Sequence, residues 1–227
     1  MFSSIENITK KLEEKGFKIN DPWDIVDIFE KSIAEYAGSK YAVALDNCTD
    51  AIFLCLKYLD AKGIVDVPAK TYVSVPQTII HAGCTPHFVN IDWTGIYQLT
   101  PFPIIDGATR FEKGMYIPGY FQCISFHIKK ILNIGKGGMI LTDDENAYKW
   151  FKMAIYEGRD IKIPYDQDPI SMIGWNMYMP PEQAARGLEI FWTIPEKNDD
   201  CGGSWKYHDI SNLQIFDKFK FQVPEKE

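Results

Sequence analysis

Cys123-Ile124-Ser125-Phe126-His127-Ile128-Lys129-Lys130, running on through Ile131-Leu132-Asn133-Ile134-Gly135-Lys136-Gly137-Gly138, decides how the rest of this chain is read. A short apolar run ends in a hydroxyl, Ser125, and two adjacent lysines follow. The chain then passes through glycines into Met139-Ile140-Leu141-Thr142, a second strand-like run closed by Asp143-Asp144. A lysine in this setting has two readings. It is a solvated surface residue, as most lysines are, or a Schiff-base lysine held between strands, where desolvation lowers its pKa and leaves the amine nucleophilic.

Composition narrows the class of protein. A chain of 227 residues fits one large domain or two small ones and can bury a substantial core. The formal charge of −7, with no dense Lys/Arg run, argues against a nucleic-acid surface. No apolar stretch approaches the ~18 residues of a membrane span. Met1-Phe2-Ser3-Ser4-Ile5-Glu6 lacks the basic and apolar regions of a signal peptide. Cys48, Cys55, Cys84, Cys123 and Cys201 are odd in number and form no Cys-x-x-Cys pair, so neither a disulfide framework nor a zinc site is expected. Together these point to a reducing, cytoplasmic setting.

Helices and strands alternate along the chain. Ser3 or Ser4 can cap a first helix carrying Ile5, Ile8 and Leu12 and ending near Gly16. Asp21 is a natural cap for a second, with Pro22 at its first position, Ile25, Val26, Phe29 and Ile33 on one face, and Gly38 at its end. Tyr41–Leu45 reads as a buried strand that turns through Asp46-Asn47-Cys48 into a helix, a geometry in which free N–H groups and the helix dipole converge on an anion. Ile64–Pro68 is the next strand, Thr71–Ser74 opens a helix that ends at Gly83, and Pro86–Asp92 is a further strand. His81 and His87 have no ligand spacing and read as structural. Glu145–Glu157 and Glu182–Leu188 are helical. Asn198–Ser204 is a loop, and Ile215, Phe216, Phe219 and Phe221 form a small aromatic cluster.

Ser125-Phe126-His127-x-x-Lys130, then Gly135-x-Gly137-Gly138 and a strand ending Thr142-Asp143-Asp144, resembles the DegT/DnrJ/EryC1/StrS family of pyridoxal-phosphate (PLP) aminotransferases acting on nucleotide-linked keto-sugars. Further motifs agree in order: Thr49-Asp50-Ala51, Tyr72, Phe88-Val89-Asn90-Ile91-Asp92, Ile104-Ile105-Asp106-Gly107-Ala108-Thr109 and Gly174-Trp175-Asn176-Met177-Tyr178-Met179. The resemblance covers roughly Phe29 to Leu188. It implies an α/β chain, the large domain of a fold type I PLP-dependent aminotransferase, with a mostly parallel sheet and helices on both faces. On this reading residues 1–227 form that single domain, without the family's C-terminal small domain.

By the same resemblance, Lys130 would hold PLP as an aldimine and shuttle protons. Asp106 would keep the pyridinium nitrogen protonated so that the ring acts as an electron sink. Tyr72 would stack on the ring, and Thr49, Ser125 and Asn176 would hold the phosphate, with Asn176 reaching the site of a partner subunit. Cys48 and Asp50 fall in the phosphate motif, and Cys48 stands where glycine is usual. Thr109 replaces a longer amide or imidazole, and Tyr178 an arginine. The implied activity is amino transfer from an amino acid such as glutamate to a nucleotide-linked keto-sugar, in a homodimer and without metal. The alternative is a PLP-binding or structural protein that kept the scaffold and lost turnover.

Only ten residues, Trp93 to Phe102, separate the third strand from Ile104-Ile105-Asp106, where the resemblance implies a longer insertion containing another strand. A helical crossover needs at least about 10–12 residues, so this stretch reads as an extended return reaching roughly 33 Å. Unpaired groups in a buried sheet cost about 1–3 kcal/mol each. The expectation is therefore that Ile104–Asp106 pairs directly with Ile64–Val67. That would close the sheet at six strands and narrow the site by about one strand spacing, roughly 4.8 Å.

Overall fold

The computed structural model describes residues 5–219; the Ser3/Ser4 cap and Phe221 lie outside the described residues. Six helices and seven strands follow in the order α1 (Ile5–Glu14), α2 (Trp23–Ala37), β1 (Tyr41–Leu45), α3 (Cys48–Tyr58), β2 (Ile64–Pro68), α4 (Ser74–His81), β3 (Thr85–Val89), β4 (Tyr97–Gln98), β5 (Ile104–Asp106), β6 (Phe121–Ser125), β7 (Gly138–Thr142), α5 (Glu145–Ala154) and α6 (Pro181–Phe191), with two short 3-10 turns at Ser204–Lys206 and Gln214–Phe219. The main sheet has the order β1-β7-β6-β5-β4, and β2 and β3 form a parallel pair beside it. The main sheet is mixed and not mostly parallel as the resemblance implied: β5 and β6 run parallel, while β7 is antiparallel to both its neighbours and β4 is antiparallel to β5.

Alternation along the strands puts helices on both faces. Val43 and Leu45 of β1, Cys123 of β6 and Ile140 of β7 pack with α3, α4 and α5. Ala42, Ala44, Ile124, Met139 and Leu141 face α1, α2 and α6. The helix ends follow local chemistry. The Asp21 carboxylate accepts from the Trp23 N–H at 2.7 Å while Pro22 is already helical, and Gly38, at φ +88°, donates to the Ala34 carbonyl. Phe216 is buried against Phe88, whereas Ile215 and Phe219 are exposed.

The expected strand pairing fails. Ile104–Asp106 does not pair with Ile64–Val67, because the ten-residue return lies between them. Tyr97 and Gln98 pair with Asp106 and Ile105, the Leu99 N–H donates to the Ile104 carbonyl at 2.9 Å, and the Asp66 N–H of β2 donates to the Thr100 carbonyl at 2.8 Å. The exposed ladder of β5 is satisfied by the connection itself. No six-stranded closure occurs, and the strand-wide narrowing it would bring does not follow. The return is extended, as read, and it is also a strand.

Edge strand β1 is held from outside by a buried charge. Glu30 of α2 accepts the Ala44 N–H at 2.8 Å through Oε1, and its Oε2 takes Lys152 Nζ of α5 at 2.8 Å, with Asp27 at 3.3 Å from the same amine. The turn from β1 into α3 is knotted by Asn47, whose Oδ1 accepts the Asp50 N–H and whose Nδ2 donates to both Asp46 and Asp50, while Lys136 pairs with Asp46 at 3.1 Å. Burial and the neighbouring Asp46 carboxylate push the Asp50 carboxyl up from 3.8 to about 6.

Two outcomes follow from these contacts. Glu30→Ala strips the acceptor from a buried N–H and one counter-charge from Lys152, and urea unfolding should show a loss of about 3 kcal/mol. Glu30→Gln, which keeps an acceptor, should lose less. Because the folded pKa of Asp50 lies above the unfolded one, its contribution to stability is full below pH 3.8 and is lost as pH rises through about 6. Asp50→Asn should flatten the fall in thermal midpoint across that window; an unchanged slope would show that Asp50 does not carry the shift.

Candidate active site

The strands and turns converge on one cavity of about 690 Å³, a size that suits a cofactor with part of a substrate. One wall is made by a close approach of backbone. Gly138, the first residue of β7, lies so close to the β1–α3 turn that a Cβ there would run into the backbone of Asn47 and Cys48. Only glycine lets the N-terminus of α3 settle beside Ser125, the cross-strand partner of Gly138. Asn47 caps the Asp50 N–H, so the N–H groups of Cys48 and Thr49 have no partner within the helix. Thr49 and Ser74 hydroxyls stand 2.8 Å apart at the same end. Hydroxyls and a helix N-terminus together form an anion-binding corner.

The loop after β6 carries the lysines. It is closed on itself by Phe126 N–H to Gly137 O, Ile128 N–H to Gly135 O, Ile134 N–H to Phe126 O and Lys130 N–H to His127 O. The Ser125 oxygen accepts from the His127 N–H at 3.3 Å, which leaves its own hydrogen free to donate into the cavity. Lys129 and Lys130 both line the cavity. Lys129 is exposed and Lys130 half-buried, and Lys130 is the one whose charge acts on both Cys48 and Asp106.

Asp106 lines the same cavity. Its Oδ1 accepts the Ala108 N–H at 2.9 Å and its Oδ2 the Tyr97 hydroxyl at 2.5 Å. Burial pushes this carboxyl above its ordinary value, against the pull of those two donors and of Lys130. Burial, helped by the Asp106 charge, drives the Cys48 thiol well up, so Cys48 is a neutral wall residue. Tyr72 is 60% exposed, which leaves its ring free to be covered.

Cys48, Thr49, Tyr72, Asp106, Thr109, Ser125 and Lys130 are thus brought to one cavity, but Asp50 and Asn176 are not among its lining residues. Asp50 is held in the Asn47 knot. Asn176 is exposed and donates to Glu157 at 2.5 Å. Thr109 is present but turned: its hydroxyl meets the carbonyls of Gly95 and Gly202, at 2.9 and 3.0 Å. Tyr178 lies away from the cavity, edge-on to Trp23 and Tyr156.

Sequence reasoning missed the wall contributed by Cys201, Lys206 and Tyr207. Arg110 anchors this segment through a two-bond pair with Asp200 at 2.9 and 2.6 Å. A Cβ at Gly95, where φ is +73°, would collide with that pair. Tyr207 also stacks on Trp93. The signal available in sequence was only the Gly202-Gly203 pair, which reads as a loop. His87 pairs with Asp66 at 2.8 Å across β2 and β3, a structural contact. Among the described residues no cluster of three or more His, Cys, Asp or Glu could hold a metal, and no helix is long and apolar enough to cross a membrane.

The donor set fits pyridoxal phosphate, with an amine at Lys130, a carboxylate at Asp106, an uncovered aromatic ring, and hydroxyls with free N–H groups for a phosphate. Comparison with known proteins gives the same direction. The spore coat polysaccharide biosynthesis protein SpsC of Bacillus subtilis is 33% identical over 77% of this chain and 52% of its own length. GDP-perosamine synthase of Caulobacter vibrioides is 29% identical over 74% of this chain and 56% of its own. The chain therefore spans about half the length of the curated relatives it matches. Among solved structures, the PLP form of the sugar aminotransferase Spr1654 from Streptococcus pneumoniae superposes with a TM-score of 0.66 at 18% identity, covering 86% of this chain and 65% of that one. DesI, crystallised with its TDP-sugar product, gives 0.62 at 21%, covering 85% and 58%. The DegT/DnrJ/EryC1/StrS aminotransferase family model matches residues 5–113 and 107–200, and the chain belongs to that family.

Proposed function

We propose that this chain binds pyridoxal phosphate through Lys130 and takes part in amino transfer to a nucleotide-linked keto-sugar. The observation that carries the reading is the meeting of Lys130, Asp106, Tyr72, Thr49 and Ser125 on one cavity from four separate parts of the chain. The names of the relatives support the substrate class: one is a GDP-perosamine synthase, and a structural neighbour holds a TDP-sugar product. When bound, the cofactor supplies an electron sink for moving an amino group. The residues supply the rest. Lys130 Nζ holds the group covalently and carries a proton at that nitrogen. Asp106 presents a carboxylate to the ring nitrogen. Tyr72 covers a ring face, and Ser125, Thr49 and the α3 N-terminus hold the phosphate. The amino donor is an amino acid such as glutamate.

A second reading, cofactor binding without turnover, is favoured by Thr109, whose hydroxyl is directed at two backbone carbonyls. The two differ in one measurement: release of 2-oxoglutarate from L-glutamate by the loaded protein, expected for the first and absent for the second.

Borohydride reduction of the protein incubated with pyridoxal phosphate, followed by peptide mass mapping, should place the pyridoxyl group on Lys130, and Lys130→Ala should abolish the visible absorption band. An adduct on Lys129 would overturn the assignment. Asn176 is exposed and outside the cavity of its own chain, as suits a residue reaching the phosphate of a partner subunit in a homodimer. Light scattering at micromolar concentration should give a dimer; a monomer with cofactor bound would sink that proposal.

A further inference from the structure

The return segment delivers a residue to the site that the motifs do not contain. Register places Tyr97 of β4 directly opposite Asp106 of β5, so their side chains leave the sheet on the same face. Tyr97 is 5% exposed. Its hydroxyl lies 2.5 Å from Asp106 Oδ2 and 2.6 Å from Thr71 Oγ1. A phenol has one hydrogen, and a carboxylate is the stronger acceptor. Tyr97 therefore donates to Asp106, and Thr71 donates to the Tyr97 oxygen. Thr71 immediately precedes Tyr72.

We infer that Tyr97 is a positioning residue of this site: its hydroxyl holds the Asp106 carboxyl group fixed at the cavity by a hydrogen bond, and through Thr71 it couples that group to the turn that presents Tyr72. The inference rests on the proposed function only for the use to which Asp106 is put. Burial pushes the Asp106 carboxyl up, toward the neutral form, while the Tyr97 hydroxyl and the Ala108 N–H pull it back toward the carboxylate. The groups that face Asp106 are Tyr97 from β4, Lys130 from the loop after β6, Cys48 from α3, Cys123 from β6 and Tyr207 from the segment after the Ser204–Lys206 turn. Burial holds the two thiols and Tyr207 neutral. Only Lys130 and the Tyr97 and Ala108 donors then oppose the burial of Asp106.

The test uses the full chain without cofactor, labelled with carboxyl-¹³C aspartate, the Asp106 signal being identified by its loss in Asp106→Asn. Tyr97→Phe keeps the ring and removes the hydroxyl, and it should raise the Asp106 titration midpoint by about one to two pH units. Thr71→Val, which leaves the phenol in place, should shift it in the same direction by less. With ring-¹⁵N pyridoxal phosphate bound, Tyr97→Phe should lower the protonated fraction of the ring nitrogen at neutral pH. An Asp106 midpoint unchanged in Tyr97→Phe overturns the inference. If that variant does not fold, Thr71→Val decides: an upward shift supports it and no shift overturns it. Failure to take up the cofactor would count against Lys130 as the attachment point and leave the carboxyl titration to judge Tyr97.

Discussion

The three-residue strand β5 has β6 on one side and would otherwise have nothing on the other. Each buried N–H or C=O left bare there would cost about 1–3 kcal/mol, so some segment must lie against it. The segment that lies there is the connection that brings the backbone back from β3. It runs antiparallel along β5, buries Leu99 completely, and offers the Thr100 carbonyl to β2. One stretch is thus connection, strand and bridge between two ladders. The position of Tyr97 beside Asp106 is a by-product of that pairing, and so is the place of Trp93 in the cavity wall.

The cavity has two chemically distinct ends, and each depends on backbone closeness. At one end Gly138 admits the α3 turn, which brings free N–H groups and the Thr49 and Ser74 hydroxyls together. At the other, Gly95 admits the Arg110–Asp200 pair, which pins the segment bearing Cys201, Lys206 and Tyr207 over the opening. An amine stands between them on a loop closed by its own hydrogen bonds. Charge, hydroxyl and carboxylate are therefore held by backbone contacts more than by side-chain packing.

Much of this was legible in the residues. Hydrophobic period and end signals located α2 closely, because Asp21 and Gly38 act through local hydrogen bonds that neighbouring residues reveal, and the start of α5 was read correctly while its end at Ala154 falls short of Glu157. The strands β1, β6 and β7 read as apolar runs because both faces are covered. The site residues in motifs were legible through the family resemblance, whose motifs fall at strand ends and in the turns that follow them. The pairing of Tyr97 was not, since a register is a long-range choice and two-residue strands carry no periodicity. The orientation of Thr109 was hidden for a related reason: the carbonyls it meets belong to Gly95 and to Gly202, 93 residues away.

The outer side of β1 has a consequence for assembly. Among the strands of the described residues this one pairs with β7 alone, so alternate donors point outward, and open edges of that kind invite strand addition from another molecule. Here the Ala44 N–H is taken by Glu30 and the Asp46 N–H by the Met177 carbonyl, while Tyr178 bridges to Leu45. A foreign strand finds the Ala44–Asp46 part of this rim already taken, which blunts the edge against strand addition from other copies of the chain.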